Sequence, residues 1–551
     1  MFDPLPLLKE YGELREELSK GAGPVSVTGC MSSQKIELVS GLMRDRGWVL
    51  YICRDEKALT PAFNDFKNFE DNTFIYPAKD LLFYSSDIRG GYITNERMEA
   101  LKHLVEDKKG VLVATVDSLM DKISPRERLS GQRLRLFESM VIDPEELSKV
   151  LSSMAYKRVP QVEIRGEYSV RGGIIDIYPV TEEQPYRIEF FDQEIDTIRS
   201  FDIESQRSTD RQQEISIYQA DEKKGALEEV SLLEYFDREA LIVLDEPLRI
   251  RERAEAVEAE FSESVERRLE KGIEADESMV TDIFSAETVM DMLFERSPLL
   301  LSSLDESLAG FGTKRQISLR TASVGTYKDS FELFIEALRH YQEEGYRISV
   351  LTPSRTRMSR LAENLREYGI HAYCPDIKDG GELMPGYTEV VWGDLQEGFA
   401  YLDIRYVLIT ESDMFGAVKK KKKKRREAAQ NGVRISGLNE LSPGDYVVHE
   451  SHGIGIYRGI EHIERDGAGK DYIKIEYADG GNLYLPATKL ELVQKYSGSD
   501  GRKPRINKLG GTEWQKTRTR VSHAVGDMAK ELIELYAKRF SETGFRYGRD
   551  T

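Results

Sequence analysis

At 551 residues the chain is long enough for about three to five domains, and a hydrophobic content of 40% lets each bury a core. A formal net charge of −19 excludes a surface that is basic throughout, as general nucleic-acid binding would need, and favours protein partners. Cys30, Cys53 and Cys374 share no CxxC or Cys/His metal spacing, which fits a reducing compartment. No apolar run reaches the length of a membrane span, and the N-terminus lacks a signal-peptide pattern. A cytoplasmic protein with no membrane contact is expected.

Val25 to Thr28 reads as a strand entering the run GCMSSQKI, Gly29 to Ile36. This run has the spacing of the phosphate-binding loop GxxxxGK[ST]. There, glycines let backbone N–H groups wrap phosphate, the lysine meets the β/γ charge, and the hydroxyl residue holds Mg²⁺. Gln34 stands where the second glycine should be and Ile36 where the hydroxyl should be; only Gly29 and Lys35 remain. The run reads as an ATP site without its chemistry, with an ordinary strand-to-helix turn as the alternative. A helix over Lys35 to Asp45 and strands over Trp48 to Cys53 and Val111 to Thr115 continue the alternation, so residues 1–140 are predicted to form a parallel α/β domain.

Residues 141–212 change character. YSVRGGIIDIYPV, YRIEFFDQEI and TIRSF, separated by turn residues, predict the antiparallel strands of an inserted α+β domain. Within 213–315, Ala240 to Leu244 is a short apolar strand ending in Asp245 and Glu246. P-loop enzymes carry metal-binding acids at that place, and the eroded loop upstream favours a motif remnant over a chance pair. Residues 316–418 alternate helix and strand again and predict a second, small α/β domain. Its Arg355, Arg357 and Arg360 suit a solvated helix face better than a phosphate clamp.

Lys419 to Arg426, KKKKKKRR, opens a linker over 419–435. Such a block repels itself and reads as solvated, a DNA-contacting arm being the alternative. In 436–505 the runs DYVVH, GIGIYRGIEHIE, DYIKIEYA and NLYLPA are short and glycine-punctuated, which predicts a small β barrel. His449 and His452 have no third ligand in view and read as strand and turn residues. In 506–551, Val521, Val525, Met528, Leu532 and Leu535 line one face of a long helix. That face either packs back on the barrel or leads into further sequence.

These residues together resemble the N-terminal half of the bacterial transcription-repair coupling factors, the Mfd family, over essentially the whole chain. The specific stretches are VRGGIIDIYP (Val170 to Pro179) with YRIEFFDQEID (Tyr186 to Asp196), and GDYVVHESHGIGIYRGIEHI (Gly444 to Ile463) with LYLPATKLELVQKY (Leu483 to Tyr496). The resemblance implies a multidomain α/β and α+β architecture: a UvrB-like module with a degenerate P-loop and an inserted UvrA-binding domain, a small α/β domain, a CarD-like (Tudor-like) barrel and a long C-terminal helix. In full-length members that helix leads to an ATP-dependent DNA translocase, so a truncated product lacking its motor is expected.

Contact with UvrA is implied for Arg171, Arg187, Phe191 and Asp192, and strand pairing with the RNA polymerase beta subunit for Ile460, His462, Ile463 and Glu464. An arginine fork suits a partner carboxylate, and an exposed aromatic suits an interface. Strand alternation sends one of Phe190 and Phe191 inward; Phe191 is expected outward. Ile463 is expected at the centre of the polymerase contact, with a barrel-core position as the alternative. DNA contact and the use of ATP and Mg²⁺ would belong to the motor. No catalytic residue, metal or cofactor is therefore expected in this chain, and a monomer is expected. The implied function is an adaptor in transcription-coupled DNA repair, its UvrA surface masked in full-length members until the motor engages DNA. The rivals are a stand-alone CarD-like regulator that binds polymerase but not UvrA, and a nucleotide-driven helicase, which Gln34 and Ile36 oppose.

Overall fold

The computed structural model describes residues 1–415, except 22, 45, 80–86, 108, 132, 204, 222–228, 271–282, 305–307, 328–329 and 376–382. Beyond 415 it describes 432–434, 444–449, 452–465, 468–478, 481–486, 493–496 and 506–508. The basic block and the C-terminal helix expected from the sequence lie outside the described residues. The chain divides into two compact units, Met1–Lys419 and Lys420–Thr551. Among the described residues no helix is long and apolar enough to cross a membrane.

The first unit is built on a seven-stranded sheet in the order Arg315–Ser318, Val25–Thr28, Leu299–Leu301, Leu241–Asp245, Trp48–Cys53, Gly110–Thr115, Thr73–Tyr76. Every pairing in it is parallel. Its central strands are mostly apolar because both faces are covered, as parallel sheets require; VLYIC and GVLVAT are wholly buried. The strand Arg315–Ser318 crosses residue 315, where the first module was expected to end.

A second sheet in this unit runs Thr321–Ser323, Phe399–Tyr401, Tyr406–Ile409, Arg347–Thr352, Thr388–Trp392, Ala372–Tyr373. It has a parallel centre and an antiparallel edge. Leu351, Val391, Phe399, Tyr401 and Tyr406 from this sheet share one apolar cluster with Val27 and Tyr51 of the first sheet and Ile36 and Leu38 of the helix Ser32–Met43.

The inserted region is a sheet in the order Ser208–Gln212, Glu194–Phe201, Tyr186–Phe191, Ile174–Ile177, Glu167–Arg171, Lys157–Arg158, antiparallel apart from its last pair. Leu134–Phe137 pairs with Glu214–Ile217 at its base, just outside the limits read from sequence. The helix Pro144–Ser153 starts where the Asp143 side chain accepts the N–H groups of Glu145 and Glu146, with Pro144 in the first turn. It lays Leu147 and Leu151 against Tyr168, Ile175, Ile177, Ile188 and Ile195.

The second unit holds a six-stranded antiparallel sheet in the order Gly432–Arg434, Val493–Tyr496, Tyr446–His449, Gly453–Arg465, Ala468–Glu476, Asn482–Pro486. The expected barrel is not closed in the described residues: the first and last strands each pair with one neighbour only. Turn spacing reports hairpins, whereas closure depends on how far the strands coil, which turn residues do not encode.

Candidate functional site

Three adjacent strands bring the nucleotide-like residues together. Val25–Thr28 leads through Gly29 into the helix Ser32–Met43, Leu241–Asp245 ends in Asp245 and Glu246, and Leu299–Leu301 between them leads to Ser302 and Ser303. Lys35 is buried, and its Nζ donates to Asp245 Oδ1 at 2.6 Å and to Glu246 Oε1 at 2.5 Å. Glu246 Oε1 also accepts from the Ser303 N–H at 2.9 Å and from its hydroxyl at 2.5 Å. Burial pulls the Lys35 ammonium down, but the two carboxylates outweigh it and hold its pKa above the usual lysine value. Burial likewise pushes Glu246 up, and Lys35 with Ser303 reverses that to a net lowering.

Three of the loop's backbone donors are taken up within the chain. The Cys30 N–H donates to Ser302 O at 3.0 Å, the Met31 N–H to Gln34 Oε1 at 3.1 Å and the Lys35 N–H to Met31 O at 2.9 Å. Gln34 therefore caps its own helix, and its Nε2 donates to Tyr401 Oη at 3.0 Å. Ile36 joins the core. Gly29 takes φ of +75°, and a β-carbon there would lie 2.3 Å from Leu319 O, while the Thr321 hydroxyl donates to Gly29 O. The corner is a closed network of ion pairs and hydrogen bonds, with the chain's own second sheet against it.

Two buried carboxyl groups beside this corner carry no mark in the sequence. Tyr401 Oη donates to Glu37 Oε2 at 3.0 Å, and burial pushes Glu37 up to about 8. Asp65 accepts from the Ser33 hydroxyl at 2.6 Å and the Gln396 N–H at 3.0 Å, and burial pushes it up to about 7. Both stand on helices, where an isolated acid normally signals a solvent face; here the segment from Gln396 to Tyr401 brings a donor to each.

At one end of the inserted sheet two tight turns lie side by side. Gly172 and Gly173 join Glu167–Arg171 to Ile174–Ile177, and Asp192 and Gln193 join Tyr186–Phe191 to Glu194–Phe201. Asp192 takes a left-handed φ of +58°, a conformation that aspartate tolerates in such turns. The Phe190 N–H donates to Gly173 O at 2.8 Å and ties the turns together. Phe191 is 79% exposed, while Phe190 packs on the core. Arg171 pairs with Ile174, and Ile174 with Glu189. Alternation therefore puts Arg171, Arg187 and Phe191 on one face.

Arg187 departs from expectation. Its Nε and Nη2 bind Asp176 at 2.7 and 3.0 Å, its Nη1 donates to Gln206 O at 3.1 Å, and its guanidinium lies 4.9 Å from the Phe201 ring centroid. Asp176 sits directly opposite on the neighbouring strand, so the fork is taken before any partner arrives. Arg187 supports the face from within it. Arg171 is exposed and donates Nε to Pro160 O at 3.2 Å.

In the second unit, the strand Gly453–Arg465 pairs with Tyr446–His449 through Gly453 to Ile456, then with Ala468–Glu476 from Ile456 onward, across a bulge between Tyr457 and Gly459. Ile460 lies opposite Ile473, His462 opposite Asp471, Ile463 opposite Lys470 and Glu464 opposite Gly469. Among the described residues no strand pairs with the other side of Gly459 to Arg465. The side chains of Ile460, His462, Ile463 and Glu464 lie outside the described residues. The His449 and His452 rings stack at 4.8 Å, and burial followed by the neighbouring imidazole brings His449 down to about 4. No cluster of three or more His, Cys, Asp or Glu that could hold a metal occurs among the described residues.

Residues 134–222 match the UvrB interaction domain family and residues 441–497 the CarD-like/TRCF RID domain family. The transcription-repair-coupling factor of Staphylococcus aureus strain USA300 is 29% identical over 593 residues, covering 96% of this chain and 50% of the relative. That of Staphylococcus haemolyticus is 29% identical over 605 residues, covering 98% and 51%. The chain thus spans about half the length of the curated relatives it matches. A solved XPD helicase covers 70% of this chain at 9% identity, with a TM-score of 0.24, a likeness too slight to carry argument.

Proposed function

We propose that this chain, of the transcription-repair-coupling-factor family, is a non-catalytic adaptor that grips the RNA polymerase beta subunit through its second unit and UvrA through its inserted domain. One contrast carries the reading. The residues with nucleotide chemistry are paired within the chain and at least half-buried, whereas those that the family resemblance assigns to partners, Arg187 apart, stand at an exposed turn end and on a strand with one unpaired side. The open side of Gly459 to Arg465 offers a row of backbone donors and acceptors that a partner strand can complete. The turn end carrying Arg171, Phe191 and Asp192 offers an aromatic anchor beside charges of both signs.

The Lys35 corner does not suit Mg-nucleotide in this reading. Phosphate would have to displace two carboxylates from Lys35, the Cys30, Met31 and Lys35 N–H groups already have acceptors, and Ile36 offers no oxygen to a metal. ATP, Mg²⁺ and the translocation of DNA are assigned to sequence outside these 551 residues.

The test is equilibrium binding of the full chain to an N-terminal fragment of the polymerase beta subunit, with Ile463→Arg alongside. The expected outcome is binding by the wild-type chain and loss of at least about tenfold in a folded variant, from a charge forced into the contact. No binding by the wild-type chain would remove the polymerase role, and unaltered binding by the variant would move the contact away from Ile463.

A further inference from the structure

We propose that the partner surface of the inserted domain extends across Glu194 to Val141, a second apolar anchor beside Phe191 for the same protein; this rests on reading the domain as the UvrA-binding one. Residues 139–142 run outside the named strands, yet they are fastened to the Phe191 hairpin. The Ser139 N–H donates to Ile195 O at 2.8 Å, the Ile195 N–H to Met140 O at 2.9 Å and the Ile142 N–H to Gln193 O at 2.8 Å. Val141 forms an antiparallel bridge with Glu194, and Glu194 is paired with Phe191. Directly opposed residues of antiparallel strands project from the same face. Val141, Glu194 and Phe191 therefore make one cross-strand row.

The neighbours of Val141 along the chain, Met140 and Ile142, pack against the domain's core, so alternation leaves Val141 pointing out, 71% exposed. Folding gives no reason for an apolar side chain there, because the backbone bonds that hold the segment would form with almost any residue. A lone exposed valine would need no explanation. This one stands in register with a phenylalanine that is 79% exposed, at the end of the sheet that also carries Arg171 and Asp192. The row specifies its partner's chemistry: an apolar ridge or recess that covers Val141 and Phe191, with a cation placed to meet Glu194 between them and Asp192 in the turn.

The experiment is titration of UvrA with the full chain and with Val141→Asp, Val141→Ser and Phe191→Ala, each checked by urea denaturation. Val141→Asp is expected to weaken binding by about tenfold or more through a like charge beside Glu194 and a lost apolar contact, and Val141→Ser by about threefold, with urea midpoints unchanged. If Val141→Asp unfolds the domain, Val141→Ser alone decides. Binding that falls with Phe191→Ala but not with either Val141 variant would overturn the extension while leaving the UvrA reading intact. Failure of the wild-type chain to bind UvrA would overturn both.

Discussion

At the Lys35 corner every group that the sequence marks is answered from within the chain; at the Phe191 hairpin the marked side chains divide, Arg187 answered and Phe191 left in water. Both regions hold residues of functional type, so type alone does not separate a site from a scaffold. What separates them is the origin of the partner. Lys35 on its helix meets Asp245 and Glu246 at the end of a strand of the same unit, and Arg187 meets Asp176 across neighbouring strands of one sheet. Phe191 and Val141 meet nothing the fold supplies that would cover them.

The contrast breaks most sharply at Lys35. Lys35→Ala should strand two carboxylates in a largely buried position and lower stability by about 3 kcal/mol, seen as a drop in urea midpoint with no nucleotide present. A variant of wild-type stability would show that the corner is not a structural lock. Next comes the pair Arg187→Ala and Phe191→Ala. The first leaves the buried Asp176 uncompensated and should cost about 2 to 3 kcal/mol of domain stability along with any loss of UvrA binding. The second should weaken binding by about 2 kcal/mol, roughly thirtyfold, with the urea midpoint unmoved. Equal stability losses in both would erase the distinction drawn between them.

The smallest expected effect is on pH. Glu37 and Asp65 have folded pKa values above their unfolded ones, so the folded chain binds those protons more tightly. Their contribution to stability is fully present below about pH 4 and is lost as pH rises through about 7 for Asp65 and about 8 for Glu37. The urea midpoint should fall from about pH 6 to about pH 9, and Glu37→Gln should flatten the upper part of that fall, gaining roughly 1 to 2 kcal/mol at the alkaline end. A profile that Glu37→Gln leaves unchanged would place the response elsewhere.

Local signals made much of this legible. Glycine turns and period-two alternation identify the hairpins around Gly172 and Asp192 and the outward Phe191, because each depends on a few consecutive residues. The strands at Val25, Trp48 and Val111 follow from short apolar runs for the same reason. The fate of Arg187 was not legible, since it turns on which residue of the next strand stands opposite. The insertion of Leu299–Leu301 between Val25–Thr28 and Leu241–Asp245 was hidden too. It is that strand which brings Ser303 to Glu246 and closes the lock. Glu37 was missed because the strand that buries it lies more than 350 residues away in sequence.

Gly29 takes on another meaning in this setting. Any side chain there would collide with the carbonyl of Leu319, just past Arg315–Ser318, the strand beside Val25–Thr28 in the same sheet, so selection on the position is set by a neighbouring strand and is independent of phosphate. Among homologues that share this packing, the glycine can persist through any number of lineages that never bind nucleotide. Its presence is then a record of how two neighbouring strands of one sheet end, and a survey that counted it as half of an ATP signature would be dating the wrong event.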